Sequence, residues 1–327
     1  PKRCLLSMNQ ILEQIYKIGI IPVIAIDDPD KAVPLAKALA KGGLPAAEIT
    51  FRTPAAEASI RAICKEVPEM LVGAGTVTTS EQLDCALAAG AKFIVSPGFN
   101  PDMVKYGLSK GALMLPGTAT GGEMEQAMSL GLDAVKFFPA EQNGGIAKLK
   151  ALAGPYRTLK WMPTGGINAK NLMDYLSFDQ ILACGGTWMV KKDMIENERW
   201  DEIIRLCREA VKTMLGIELA HVGVNCGSAE EAESLARAVS VLLGLDVRQT
   251  SKSWFAGSAV EYMNKPGPGV KGHIGFRTNS VKRAMYHLGR AGVVFDEDTL
   301  QYNDKGEPKF VYIKGDFGGF AIHLLNR

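Results

Sequence analysis

One lysine stands where lysine is least expected. Asp133-Ala-Val-Lys136-Phe-Phe138-Pro139 reads as a strand, with Lys136 between Val135 and Phe137 near its end. If Val135 and Phe137 face one side in the two-residue period of a strand, Lys136 faces the other. An apolar pocket with a second cation nearby favours the neutral amine, the form that attacks a ketone to make a Schiff base. Ala46-Ala-Glu48-Ile-Thr50-Phe-Arg52 alternates in the same way. If Ala47, Ile49 and Phe51 pack outward, Glu48, Thr50 and Arg52 point to the interior. There the carboxylate and guanidinium are either catalytic groups or a structural ion pair, since an unpaired buried charge is costly. Two other strand lysines, Lys92 and Lys160, fall at the starts of their runs, away from the end that carries Lys136.

Histidine placement narrows the chemistry. The four histidines are His221, His273, His287 and His323, and the first 220 residues contain none. That excludes a Ser-His-Asp triad or a His-ligated metal built from the N-terminal part alone. Glycines recur at Thr164-Gly-Gly-Ile167 and Gly185-Gly-Thr187, where backbone N–H groups can approach an anion closely. Lys+Arg is 37 and Asp+Glu 35, for a net charge of +2, so no electrostatic footprint of nucleic-acid binding is expected. The six cysteines form no C-x-x-C pair, and a reduced, cytoplasmic setting is the expectation. Pro1-Lys2-Arg3-Cys4 opens no long apolar segment, and no run approaches the ~18 residues of a membrane span.

The elements that position these residues repeat. From residue 20 to 190, short apolar runs alternate with helical stretches at a period of roughly 20 residues. The runs are 21–26, 46–51, 70–73, 92–95, 113–115, 134–138, 159–163 and 180–183. Eight strands alternating with helices predict an α/β fold of the (β/α)8 TIM-barrel type. A doubly wound sheet is the competing architecture, but no G-x-G-x-x-G follows the first strand. Residues 8–18 read as a preceding helix and 200–215 as the last. In a barrel, Lys136, Glu48 and the two glycine loops all belong to the C-terminal strand ends.

After Gly216 a second repeat begins. His221-Val-Gly-Val-Asn225 is echoed by His273-Ile-Gly-Phe-Arg277. Helical stretches follow at 229–243 and 281–291, and each half closes on a strand-like run, 259–263 and 321–325. The pattern is two β-α-β-β-β modules forming a smaller α+β domain, joined near Gly267-Pro-Gly269. The expected domains are therefore 1–215 and 217–327.

The first domain resembles the KDPG/KHG aldolases, which cleave 2-dehydro-3-deoxy-6-phosphogluconate or 4-hydroxy-2-oxoglutarate. The matching stretches are Glu48-Ile-Thr-Phe-Arg-Thr53, Val72-Gly-Ala-Gly-Thr76, Ser96-Pro-Gly98, Lys136-Phe-Phe-Pro-Ala-Glu141, Pro163-Thr-Gly-Gly-Ile167 and Gly185-Gly-Thr187. The resemblance implies a metal-free class I aldolase that releases pyruvate plus glyceraldehyde 3-phosphate or glyoxylate. Lys136 would form the Schiff base and Glu48 would shuttle protons. Arg52 and Thr76 would hold the carboxylate, and Pro97 and Phe138 would line the pyruvate methyl. Thr164, Gly165, Gly166 and Thr187 would receive the distal hydroxyls and phosphate. Thr187 stands where the family often has Ser. The alternative substrate is 2-dehydro-3-deoxy-6-phosphogalactonate, and a homotrimer is expected. A phosphate-binding barrel of another class, such as a metal-free isomerase, is the competing activity.

The second domain resembles the glyoxalase-like, vicinal oxygen chelate superfamily. The ligand positions implied by that resemblance are His221, Glu261, His273 and His323, a set suited to Zn, Ni, Mn or Fe. His323 replaces the usual second carboxylate, and His287 falls in a helix as a packing residue. The implied role is metal-dependent isomerisation or epimerisation of a sugar acid. A metal-free domain that binds a ligand or supports assembly is the alternative.

Overall fold

The computed structural model describes residues 8–327. The start Pro1-Lys2-Arg3-Cys4 and the first seven residues of the expected N-terminal domain lie outside the described residues. Two compact units divide between Met214 and Leu215.

In the first unit, helix α1 (Met8–Ile18) precedes eight strands: β1 (Ile20–Ile24), β2 (Ala46–Thr50), β3 (Leu71–Gly75), β4 (Phe93–Ser96), β5 (Leu113–Thr118), β6 (Ala134–Phe137), β7 (Lys160–Pro163) and β8 (Cys184–Gly186). The helices α2 (Ala32–Lys41), α3 (Ala56–Glu66), α4 (Ser80–Ala89), α5 (Pro101–Ser109), α6 (Gly121–Ser129), α7 (Gly145–Ala153) and α8 (Leu172–Leu176) separate successive strands. α9 (Lys192–Glu196) and α10 (Trp200–Leu215) end the unit. All strands run parallel in the order β7-β6-β5-β4-β3-β2-β1-β8, so this is a (β/α)8 barrel. Single bridges, Trp161 to Ile181 and Thr164 to Gly185, close the gap between β7 and β8. Every residue of β1, β2 and β3 is buried, as expected for parallel strands covered by helices. Polar side chains cap some of the helices that follow, α4, α5 and α6 among them. Thr79 accepts from the Gln82 N–H, and Thr120 with Glu123 forms a capping box on α6.

The eighth strand departs from the sequence expectation. The apolar run 180–183 is buried at Ile181, Leu182 and Ala183, but the ladder to β1 forms one step later, at Cys184–Gly186. Gly185 and Gly186 are thus strand, not loop. The reason is steric: a Cβ on Gly185 would lie 2.3 Å from Thr164 Oγ1, and one on Gly186 would lie 1.9 Å from the Trp188 ring.

The second unit contains two modules of equal topology. One is β9 (Glu218–Asn225), α11 (Ala229–Leu243), β10 (Val247–Gln249), β11 (Ser253–Ala256) and β12 (Val260–Met263). The other is β13 (Gly272–Thr278), α12 (Val281–Arg290), β14 (Phe295–Tyr302), β15 (Pro308–Phe317) and β16 (Phe320–Asn326). They form one mixed sheet in the order β10-β11-β12-β9-β13-β16-β15-β14. β9 and β13 meet antiparallel at the centre, and each pairs in parallel with the last strand of its own module. Ser228 and Ser280 cap the two helices at matching places. His287 is buried in α12. Among the described residues, no helix is long and apolar enough to cross a membrane.

Candidate active site

The barrel brings Lys136 and Glu48 together. Lys136 Nζ lies 3.1 Å from Glu48 Oε1, and both side chains are almost fully buried. The space for this contact comes from missing side chains. Glu48 pairs with Gly73, and Thr50 with Gly75, across β2 and β3. A Cβ on Gly75 would stand 2.3 Å from Glu48 Oε1. The other carboxylate oxygen, Oε2, is buried with no hydrogen-bond partner. It faces a cost unless a ligand or water supplies a donor. The Lys136 amine also lies 5.1 Å from the centre of the Phe138 ring, and Thr118 Oγ1 donates to the Lys136 carbonyl.

The residues expected to hold the carboxylate are adjacent. Arg52 Nε donates to Thr76 Oγ1 at 3.3 Å. Thr76 adopts φ 55, the left-handed conformation that is uncommon for a non-glycine residue and clusters at functional sites. Arg52 and Thr187 share a cleft of about 280 Å³ with Thr50, Lys191 and Lys192. Lys191 and Lys192 were not among the residues expected from sequence, although the Val-Lys-Lys run three residues past Thr187 is a visible cationic signal. Lys192 is paired with Asp27 at 2.7 Å. Pro97 is half-buried at the end of β4, and its carbonyl oxygen would lie 2.2 Å from a Cβ on Gly117.

The loop after β7 is shaped by glycine and held on both sides. Gly165 and Gly166 have φ 99 and φ 79. Ala140 N–H donates to the Thr164 carbonyl and Glu141 N–H to that of Gly165. Asn168 and Asn171 side chains donate to the Gly166 carbonyl. Thr164 Oγ1 is buried and has no hydrogen-bond partner, so a hydroxyl is available beside the glycines.

The second unit gathers His221, His273, His323 and Glu261. Nε2 of His221 lies 3.1 Å from Nε2 of His273 and 3.3 Å from Nε2 of His323. Glu261 Oε2 is 3.2 Å from His273 Nε2 and 3.4 Å from His221 Nε2. Neighbouring ligands around an ion bound at about 2.0–2.2 Å have this spacing, so the donor set fits a divalent metal. The protonation states fit as well. Burial, and then its histidine neighbours, push His323 down to about 3. Burial likewise lowers His221 against the opposing pull of Glu261. Burial acts to raise Glu261, but hydrogen bonds from His273 and Ser253 outweigh it and leave the carboxylate favoured. His221 and His323 are therefore favoured as neutral imidazoles beside a carboxylate, the forms that ligate.

Residues not foreseen in the sequence hold these side chains. Ser253 Oγ donates to Glu261 Oε1 at 2.5 Å. The matching position of the other module is Phe310, whose ring stacks on His323 at 4.6 Å. The Nδ1 atoms of His273 and His323 are buried without a hydrogen-bond partner, so packing orients these rings instead of the usual second hydrogen bond. Gly223 and Gly275 leave the room. A Cβ on Gly223 would lie 2.1 Å from the His273 ring. The repeated His-x-Gly spacing was the available signal.

A family model described as KDPG and KHG aldolase matches residues 11–206. A 2-dehydro-3-deoxy-phosphogluconate aldolase of Haemophilus influenzae is 48% identical over 205 residues, covering 63% of this chain and 97% of that protein. The KHG/KDPG aldolase of Escherichia coli K12 is 45% identical over 201 residues, covering 61% of this chain and 94% of its own. Among solved structures, the KDPG aldolase of Legionella pneumophila, with pyruvate captured as a covalent carbinolamine, superposes with a TM-score of 0.59 at 38% identity. That match covers 61% of this chain and 97% of the other.

Proposed function

The chain belongs to the KDPG and KHG aldolase family through residues 11–206, and on that premise we propose that Lys136 and Glu48 carry its Schiff-base cleavage of a 2-oxo-3-deoxy acid. The buried 3.1 Å contact between them supports this reading more than any other observation. A proton passing from Lys136 to Glu48 leaves a neutral amine and no net charge in the barrel. The amine adds to the C2 carbonyl, and Glu48 protonates the departing hydroxyl so that water leaves and the iminium forms. Glu48, now a carboxylate, takes the proton of the C4 hydroxyl. The C3–C4 bond breaks, the aldehyde departs and its electron pair moves into the enamine. Glu48 returns the proton to C3, and water hydrolyses the pyruvyl iminium.

Arg52 and Thr76 hold the substrate carboxylate, with Pro97 and Phe138 against the pyruvyl methyl. Thr164, Gly165, Gly166 and Thr187 take the distal hydroxyls and phosphate. The proposed substrates are 2-dehydro-3-deoxy-6-phosphogluconate and 4-hydroxy-2-oxoglutarate, giving glyceraldehyde 3-phosphate or glyoxylate beside pyruvate. The galactonate isomer is the alternative. A homotrimer in the cytoplasm is the proposed state. The test is borohydride reduction with pyruvate. A pyruvate-derived mass on Lys136, absent from Lys136→Ala, is expected; an adduct that survives the substitution overturns the assignment.

For residues 217–327 we propose a glyoxalase-like domain whose His221, His273, His323 and Glu261 hold one divalent ion. The converging donors support this. Such an ion would polarise adjacent oxygens of a sugar acid and so assist an isomerisation or epimerisation. Ser253 keeps Glu261 aimed, and Phe310 keeps His323 aimed. Elemental analysis of the purified chain against His221→Ala tests it. One metal per chain, lost in the variant, is expected; no uptake after reconstitution favours a non-catalytic, ligand-binding or assembly role.

A further inference from the structure

The sheet face that carries the histidine cluster extends beyond the four donors. Across one row, Arg248 is paired with Phe255, Phe255 with Glu261, Glu261 with Gly223 and Gly223 with His273. Across the other, His221 is paired with Gly275, Gly275 with His323 and His323 with Tyr312. Directly paired residues share a face of the sheet, so both rows line one surface. The rows match position for position near the centre and differ at their flanks.

On one flank the Arg248 guanidinium lies 4.2 Å over the Phe255 ring, and Phe255 meets His221 edge-on at 6.0 Å. On the other flank Tyr312 meets His323 edge-on at 5.2 Å. Among the described residues, Arg248 has no carboxylate or carbonyl partner, and the Tyr312 hydroxyl makes no hydrogen bond. Glu261 contacts Ser253 and His273 instead. A guanidinium held over an aromatic ring by its carbon can still offer its N–H fork to a planar anion. Two flanking groups with unused donors, on either side of a donor cluster, are a built place for a small polar molecule.

The reach sets its size. Strands lie about 4.8 Å apart, so Arg248 is two strands from Glu261 and its head folds back over the strand between. An anion on it stands about 5–8 Å from the donor cluster, the length of a chain of about three to six carbons. We propose that this face binds a short oxygenated acid, its anionic group on Arg248, an internal hydroxyl or carbonyl oxygen at the four-donor centre, and a further oxygen on Tyr312. The central contact rests on the metal reading above; the Arg248 contact stands without it. A carboxylate and a phosphate monoester offer Arg248 the same chemistry.

The test uses the full chain carrying Arg52→Ala, which removes the barrel's carboxylate contact. The chain is loaded with Co²⁺, and its visible spectrum is followed during titration with gluconate, glycerol 3-phosphate and neutral glycerol. Saturable change with one or both acids, at concentrations at least tenfold below any effect of glycerol, is expected. The tighter acid assigns the anion. Adding Arg248→Met should leave the cobalt spectrum unchanged and weaken acid binding at least tenfold, while Tyr312→Phe should weaken it several-fold. Equal binding with and without Arg248, or no acid binding at all, overturns the proposal. If cobalt is not taken up, the metal reading fails by itself. Calorimetry of the metal-free chain then decides: Arg248-dependent binding of an acid keeps the proposal, and its absence overturns it.

Discussion

His221 and Gly275 lie directly opposite each other where the two tail modules meet, and a Cβ on Gly275 would come within 2.6 Å of the His221 ring. The same Cβ would stand 2.8 Å from His323. The relation is reciprocal, because Gly223 lies opposite His273 and beside Glu261. Each glycine thus supplies the gap into which the other module's histidine and a last-strand side chain fit. Gly275→Ala should spread His221 and His323 apart. Metal affinity should fall about 10–100-fold, the range seen when groups that orient ligands are lost, while aldolase activity stays at the parental level. Unchanged metal affinity would show that the rings find another arrangement.

In the barrel, the roles proposed for Lys136 and Glu48 are separable. Lys136→Ala should abolish both borohydride trapping and cleavage. Glu48→Gln keeps the amine but removes the proton carrier, so kcat should fall about 10²–10⁴-fold while slow trapping of pyruvate persists. Trapping and turnover lost to the same degree in both variants would contradict the division.

Gly75 tests how the pair is positioned. An alanine there would push on Glu48 through a 2.3 Å contact with its Oε1. Because β3 is buried throughout, overpacking should cost about 1–3 kcal/mol of stability. The kcat of the folded fraction should drop more than tenfold with KM little changed. A variant destabilised by that amount but fully active per folded molecule would disconnect Gly75 from the catalytic geometry.

The barrel and the meeting of Lys136 with Glu48 were legible because both rest on local periodicity. Alternation in 46–52 and 133–139 already aimed Glu48 and Lys136 inward, and their meeting needed only barrel closure. The eighth strand was displaced because Ile181–Ala183 is as apolar as a strand, whereas the ladder depends on where the Cys184–Gly186 backbone can approach. The roles of Gly223, Gly275, Ser253 and Phe310 were hidden for a different reason. They depend on register between strands far apart in the chain, and a His-x-Gly spacing carries no record of which strand lies opposite. Lys191 is hidden in the sequence because a lysine in a polar run reads as solvated surface, and only the fold places a cleft beside it.

The cleft shared by Arg52, Thr187 and Lys191 allows the proposed phosphate site to be tested. Lys191 is exposed and adds charge, so it should act more strongly on a distal phosphate dianion than on the single distal carboxylate of 4-hydroxy-2-oxoglutarate. Lys191→Ala should raise KM for 2-dehydro-3-deoxy-6-phosphogluconate several-fold and that for 4-hydroxy-2-oxoglutarate by less. Thr187→Ser keeps the hydroxyl and removes a methyl, and should alter the ratio of kcat/KM values by less than Thr187→Val, which removes the hydroxyl. Steady-state comparison of the two substrates decides; equal effects on both would move the phosphate elsewhere.

Acid should loosen the second unit from its histidine cluster. Burial holds His323 down at about 3 in the folded chain, whereas an unfolded histidine titrates near 6.5. Between those values the unfolded state binds a proton that the folded state refuses, so stability rises with pH across this window. It is fully present above about 6.5 and is lost progressively as pH falls toward 3. His221 is lowered by burial and adds the same sign. Glu261 is also lowered, and its contribution is lost in the same direction as pH falls below the ordinary carboxylate range. Peptide-resolved hydrogen exchange of the metal-free full chain should therefore show protection of β9, β13 and β16 falling steadily from pH 7 to pH 5, after correction for intrinsic exchange. His323→Phe, which fills the space with a ring that cannot titrate, should flatten that slope, and bound metal should suppress it. A flat profile in the parent, or an unchanged slope in His323→Phe, would remove the buried imidazole as the source of acid sensitivity.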